Sequence, residues 1–284
     1  MGTAMAVRTF RDSSNVRLAS MIVALVSLVC PGVFALDPLG PAMSTLRQGE
    51  GSVGFDYSYS QMDFELNDGT WVEHLDGVFF DAGEADTFTL KDFRMHKAYA
   101  TFGYGLVDGV EVFLRLGGAD ANFGDSIWQD HETFDGDTAV AVGGGIRATF
   151  YKEGRLRFGG LIQTSWTKLD GELWADHWAS ADSVEIELTE IQYALGLTYE
   201  LADGSFIYGG PFYHYLHGDL EDKFSESVDG SLLTSKYSWN VEQRSELGGY
   251  IGVQLGPGQN ASLNVEYQHT SSADAICAHL MFRF

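Results

Sequence analysis

The chain ends on AICAHLMFRF, Ala275 to Phe284, and the parity of those ten residues decides the fold. Side chains alternate faces along a strand, so Ile276, Ala278, Leu280, Phe282 and Phe284 share one face while Cys277, His279, Met281 and Arg283 share the other. The first face suits lipid and the second a polar interior. Alone, the stretch also fits the edge strand of a soluble sandwich, so the rest of the chain has to decide.

Upstream, the same period of two returns again and again. Val53, Phe55, Tyr57 and Tyr59 alternate with small or polar residues, and so do Ala98, Ala100, Phe102 and Tyr104. Val110 to Leu116, Val140 to Phe150, Leu156 to Trp166, Ile191 to Tyr199, Leu247 to Leu255 and Leu263 to Tyr267 follow the same rule. Only Phe206 to His217, aromatic on both parities, resists assignment. The count is about ten strands, with eight or twelve as alternatives if that run or the first long connection is misread.

Connections alternate in length. Short turns rich in Gly, which accepts positive φ, fall at Val107-Asp108-Gly109, Glu153-Gly154, Ala202-Asp203-Gly204 and Pro257 to Asn260. Long polar stretches lie near 67–92, 120–137, 170–184 and 218–237; the last connection, Ser271 to Asp274, is short although it falls on the long-loop end. Short turns at one end and long loops at the other form the asymmetry of membrane barrels, short on the periplasmic side and long outside. No segment has a convincing helical period, and apolar faces turned to lipid force the sheet to close.

At the amino terminus, Arg8, Arg11 and Arg17 precede the apolar run Leu18 to Val29, and Val33-Phe34-Ala35 supplies a cleavage signature. Residues 1–35 therefore read as a secretory signal peptide, with 36–50 a periplasmic segment and 51–284 the barrel. Residues 1–35 hold three Arg and one Asp, so the rest has 14 basic and 39 acidic residues, a formal charge of −25. Nucleic acid is excluded as a partner. With Cys30 in the signal, Cys277 is the only remaining cysteine and no internal disulfide is available. A mean hydropathy of −0.08 excludes a helical membrane protein and agrees with alternating strands.

With Leu280, Phe282 and Phe284 in place, the last strand resembles that of bacterial outer-membrane β-barrel proteins. In that family a terminal Phe after alternating apolar residues helps the barrel assembly machinery recognise the chain. The resemblance implies an all-β, single closed antiparallel transmembrane barrel in the outer membrane, surrounded by lipid and lipopolysaccharide.

Parity assigns Glu111, Arg115, Arg147, Arg157, Glu190, Glu200, Glu242, Arg244, Glu246 and Glu266 to the interior. Opposite charges at that density pair across a narrow lumen and fill it, since eight strands enclose only enough room for side chains. The expected function is structural or surface-interacting, toward an unknown extracellular ligand, with a narrow porin-like channel as the alternative. Acidic loops, such as Asp120, Asp125, Asp130, Glu132, Asp135 and Asp137 without one Lys or Arg, offer oxygen ligands to Ca²⁺ or Mg²⁺; no cofactor is expected otherwise. All six Trp fall in the outer half, where loop packing or ligand stacking uses them.

His214, His217 and Asp219 form the densest chemical cluster, a weak candidate for metal binding or general-base chemistry. Omptin proteases resemble this chain in size and expected strand number, and use a His–Asp pair with further acids at the outer rim. Here the order is His217-x-Asp219, reversed from that family, and Glu84 and Asp86 match its acidic pair only loosely. No catalytic residue is carried over, and the chain is read as a non-enzyme.

Overall fold

The computed structural model describes residues 36–124, 133–174, 182–202, 205–243, 246–256 and 260–284. The signal peptide expected at 1–35, the interior assignment of Arg244, and Trp128 and Trp178 lie outside the described residues. The described strand segments are β1 (Gly51–Leu75), β2 (Val78–Ala85), β3 (Phe88–Val107), β4 (Val110–Gly124), β5 (Thr133–Gly136), β6 (Ala139–Glu153), β7 (Leu156–Trp174), β8 (Asp182–Ala202), β9 (Ser205–Val228), β10 (Ser231–Gln243), β11 (Leu247–Leu255), β12 (Ala261–Thr270) and β13 (Ala273–Arg283). All pairings are antiparallel between neighbours.

Closure comes from the first and last strands. β13 pairs with β1 from Ser52↔Arg283 to Met62↔Ala273, and Gly51 and Phe284 exchange both backbone hydrogen bonds at 3.0 Å. At the short-turn end the ring has ten strands: β1, β3, β4, β6, β7, β8, β9, β11, β12 and β13. The β12–β13 hairpin turns early, at Ser271 and Ser272. Beyond it β10 pairs directly with β1, Phe64↔Gln243 onward, and β5 takes over from β6 between β4 and β7. The ring thereby narrows to eight strands: β1, β3, β4, β5, β7, β8, β9 and β10.

Two different solvents explain the side-chain pattern. Around the wide ring Phe55, Phe102, Leu114, Ile162, Leu195, Ile251 and Phe282 point outward, with Leu195 48% and Ile251 59% exposed. An apolar belt around a closed antiparallel ring with a polar interior is the architecture of bacterial outer-membrane barrels, and it places this chain in that membrane. A span needs about 9–11 tilted residues, yet β1, β3, β8 and β9 run for 20–25. The excess stands in water, and there the pattern inverts. Outward Tyr59 gives way to inward Met62, Phe64 and Leu66; outward Ile191 to inward Leu188, Ile186 and Val184; outward Tyr215 to inward Leu216 and Leu220.

The stretches near 67–92 and 218–237 do lie at the long end, but as paired strand rather than irregular loop. Their tips are Asp76-Gly77 and Asp229-Gly230, where all four residues have positive φ (48°, 79°, 51° and 87°), the two-residue turn that matches strand twist. The Phe206–His217 run is the first half of β9, with Ile207, Tyr213 and Tyr215 outward and Phe206, Tyr208, Phe212 and His214 inward.

In the segment 36–50, Leu36, Asp37, Leu39, Ala42, Met43 and Leu46 are buried, while Arg47 to Gly49 are exposed. The buried residues sit among inward-facing side chains of the wide ring, because those side chains satisfy a backbone that has no strand partners of its own.

Candidate functional site

The wide part of the bore holds an interlocked set of charges. A segment without regular structure can be buried only if its backbone groups find partners, and the inward carboxylates and guanidinium groups supply them. Glu266 accepts the N–H groups of Leu39 (2.9 Å) and Gly40 (2.8 Å). Glu111 accepts those of Thr45 (2.6 Å) and Leu46 (3.1 Å) and is paired with Arg147 at 3.1 Å. Arg147 also donates to the Leu39 carbonyl (2.9 Å), Arg115 to that of Pro38 (2.7 Å), and Gln268 to that of Asp37 (2.8 Å).

Side chains complete the set. Lys97 bridges Asp37, at 3.2 Å, and Glu190, which in turn contacts His214 Nε2 at 3.2 Å. Asp56 binds Arg115 Nε at 2.8 Å, Thr101 at 2.5 Å and His279. Arg115 donates to Gln163 at 3.1 Å and its guanidinium lies over the Phe113 ring at 4.8 Å. Buried ion pairs hold only when their remaining donors and acceptors are also satisfied. Here the inner segment does much of that work, so the charges grip residues 36–46 as well as pairing with one another.

Above this polar layer lies an apolar one. Phe64 and Phe93 ring centroids are 4.7 Å apart, Phe93 and Phe123 5.8 Å, and Phe123 and Phe134 stack at 4.7 Å. Leu66, Leu90, Met95, Leu169, Ile186, Leu188, Leu216 and Val241 belong to the same cluster, to which all eight strands of the narrow ring contribute. An eight-stranded interior is just wide enough for side chains to fill. Outside, this collar is charged: Lys168 pairs with Glu185 (2.6 Å) and Lys236 with Glu221 (2.7 Å).

Seven of the ten interior assignments fall inside: Glu111, Arg115, Arg147, Glu190 and Glu266 are buried, and Arg157 and Glu200 pair at 2.8 Å nearer the mouth. Glu242 does not, since Val241 takes the inward parity of β10 and leaves it exposed. Glu246 does not either; its carboxylate bonds the outward Tyr213 hydroxyl just before β11 starts. His279 faces the bore as the parity of the last strand requires, and Asp37, Asp56 and Lys97 join it there. Asp56 and Lys97 share parity with residues that face inward, a signal present in the sequence; Asp37 has no such marker.

The His214, His217 and Asp219 cluster is split. His214 and His217 stand an odd number of residues apart, so His214 is buried in the bore while His217 and Asp219 are exposed on the outer face. They cannot converge on one metal ion. Among the described residues no three His, Cys, Asp or Glu side chains are arranged to hold a metal; Asp125, Asp130 and Glu132 of the acidic loop lie outside them. Trp239 donates to the Asp86 carbonyl (3.3 Å) and stacks on Tyr237, so it packs the outer hairpins together. Leu280, Phe282 and Phe284 all face outward on β13.

No family model matches the sequence, and no curated protein matches it. Among solved structures, the translocator domain of the autotransporter NalP from Neisseria meningitidis is similar at 12% identity and TM-score 0.41, covering 98% of this chain and 99% of that one. The outer membrane protease OmpT from Escherichia coli is similar at 11% identity and TM-score 0.44, over 82% and 97%. The outer membrane protein OprG from Pseudomonas aeruginosa is similar at 11% identity and TM-score 0.43, over 84% and 97%. Likeness at this level carries no inference about what the present chain binds or does.

Proposed function

We propose that this chain is a non-conducting, non-enzymatic outer-membrane barrel that carries a strand-built platform above the bilayer for contact with an extracellular ligand. Two sets of inward-facing groups, one polar and one apolar, support the reading. Residues 36–46 are tied into the wide ring by charge-assisted bonds, and an apolar collar fills the narrow ring. A polar plug alone could hydrate and leak, and an apolar constriction alone could wet under voltage; in series they oppose both. Cleavage after Ala35 frees the residues that form the plug, Leu280, Phe282 and Phe284 serve the barrel assembly machinery, and lipid and lipopolysaccharide surround the belt.

A narrow channel has one observation in its favour. Thr198 Oγ1, Asn264 Oδ1 and both amide atoms of Gln254 are buried without partners near the short-turn end, a place for water. Thr167 Oγ1 and the Gln243 amide, level with Leu188 and Phe64, are partnerless too, but the cluster at that level is apolar. Planar-bilayer recording of the purified protein tests the reading: silence under applied voltage is expected, and reproducible discrete steps would overturn it.

A further inference from the structure

We propose that the free edge of β2 is a docking strand for an extended, basic peptide segment of an extracellular partner. The inference rests on the surface-contact reading above and gives it a partner chemistry.

Beyond the collar, β2, β1, β10 and β9 form a four-stranded antiparallel sheet in that order. Among the described residues β2 pairs with β1 alone, so eight residues, Val78 to Ala85, present one backbone row without a strand partner, in which the Asp81 carboxylate accepts the Ala82 N–H. Natural edges are blunted with charge, Pro, bulges or short length. This one has neither Lys nor Pro; it carries Asp81 and Glu84 and a register shift at Phe80, which hinder self-pairing, and it opens with Val78, Phe79 and Phe80, which are 69%, 63% and 60% exposed. Such a row gives main-chain affinity to an added strand, and side chains beside it give selectivity.

Charge selects the occupant. Asp76, Asp81, Glu84 and Asp86 flank the edge, and no Lys or Arg occurs between Arg47 and Lys91. Two copies meeting edge to edge would set these carboxylates against one another, and like charges across a strand pair destabilise it. A basic strand gains where a second copy loses. The other edge of the sheet, Phe224 to Val228 of β9 beyond its last pairing with β8, is shorter and has Lys223 and Lys236 close by.

The test uses the intact protein in lipid nanodiscs and a fluorescent peptide of about nine residues alternating Lys and Val, a typical strand length. Saturable binding is expected, with slowed amide exchange confined to 78–85. Methylating alternate backbone nitrogens of the peptide keeps its charge but blocks strand addition, and should weaken binding about tenfold or more. Asp81→Asn with Glu84→Gln should do the same while the barrel keeps its heat-modifiable gel migration. No binding, equal binding of the methylated peptide, indifference to the double variant, or protection away from β2 would each overturn the proposal. Conductance is read separately, so a conducting barrel that binds the peptide sinks the non-conducting reading alone, and a silent barrel that ignores it sinks this inference alone.

Discussion

Replacing Lys97 by Met probes the inner segment at its tightest point. Lys97 is fully buried and, among the described residues, is the one cation in contact with both Asp37 and Glu190. Met fills nearly the same volume, so the lesion is electrostatic: two buried carboxylates lose their shared ammonium, leaving Glu190 with His214 and Asp37 with the Tyr99 hydroxyl, and removing one member of a buried ion pair costs about 3–5 kcal/mol. Asp37 belongs to the segment, and ordering loose chain costs about 1–2 kcal/mol per residue, so the segment is the part that yields. An opening free energy lowered by about 3 kcal/mol speeds exchange on the order of a hundredfold. The amides to watch are those of Leu39, Gly40, Thr45 and Leu46, whose acceptors are Glu266 and Glu111. Hydrogen exchange read by mass spectrometry on 36–50 should show the acceleration while the β7 and β8 amides stay protected. Adding Asp37→Asn and Glu190→Gln should recover most of the protection, because the cost lies in stranded charge. Unchanged exchange in Lys97→Met, or a triple variant no better than the single, would refute the reasoning.

Phe93→Ala opens a cavity between Phe64 and Phe123 in the collar and should cost about 3–5 kcal/mol. Phe102→Ala on the lipid belt should cost at most about 2 kcal/mol; denaturant unfolding in detergent compares them. Burial pushes the Asp222 carboxyl, in the strand extension above the collar, up to about 6. A raised acid keeps its proton longer when folded, so its contribution is fully present below the ordinary carboxylate range and is lost as pH rises through 6. Asp222→Asn should therefore stabilise the outer sheet at pH 7.5, by at most about 3 kcal/mol, and leave it unchanged at about pH 3.5. Local exchange on 219–228 and 231–240 measures it, and a stabilisation independent of pH would contradict the assignment.

Much of the barrel was legible because its rule is local. The belt follows from parity, and closure follows from the belt. The inversion above the membrane was legible too: in β8 the apolar residues are even through Leu188 and odd from Ile191, one unbroken strand changing the solvent it faces. Reading 170–184 as loop hid the even half, and Asp76-Gly77 and Asp229-Gly230 carried the same hairpin signal as the turns that were recognised. Glu242 was misplaced by extending a pattern through β10 without checking it against Val241. The inner segment was not legible. Leu36, Leu39, Ala42, Met43 and Leu46 follow neither strand nor amphipathic period strictly, and the segment's partners, Glu111 for Leu46, Lys97 for Asp37 and Glu266 for Leu39, are 60 or more residues away in sequence.

Spin labels placed singly along the outward face of β8, in a Cys277→Ala background, decide whether one strand faces two solvents. At Tyr193, Leu195 and Leu197, relaxation should be dominated by lipid-soluble oxygen; at Glu185 and Glu187, by a water-soluble nickel chelate. If the labels at Glu185 and Glu187 are as shielded by lipid as those in the belt, the collar is not a water-facing extension and the two-solvent structure is wrong.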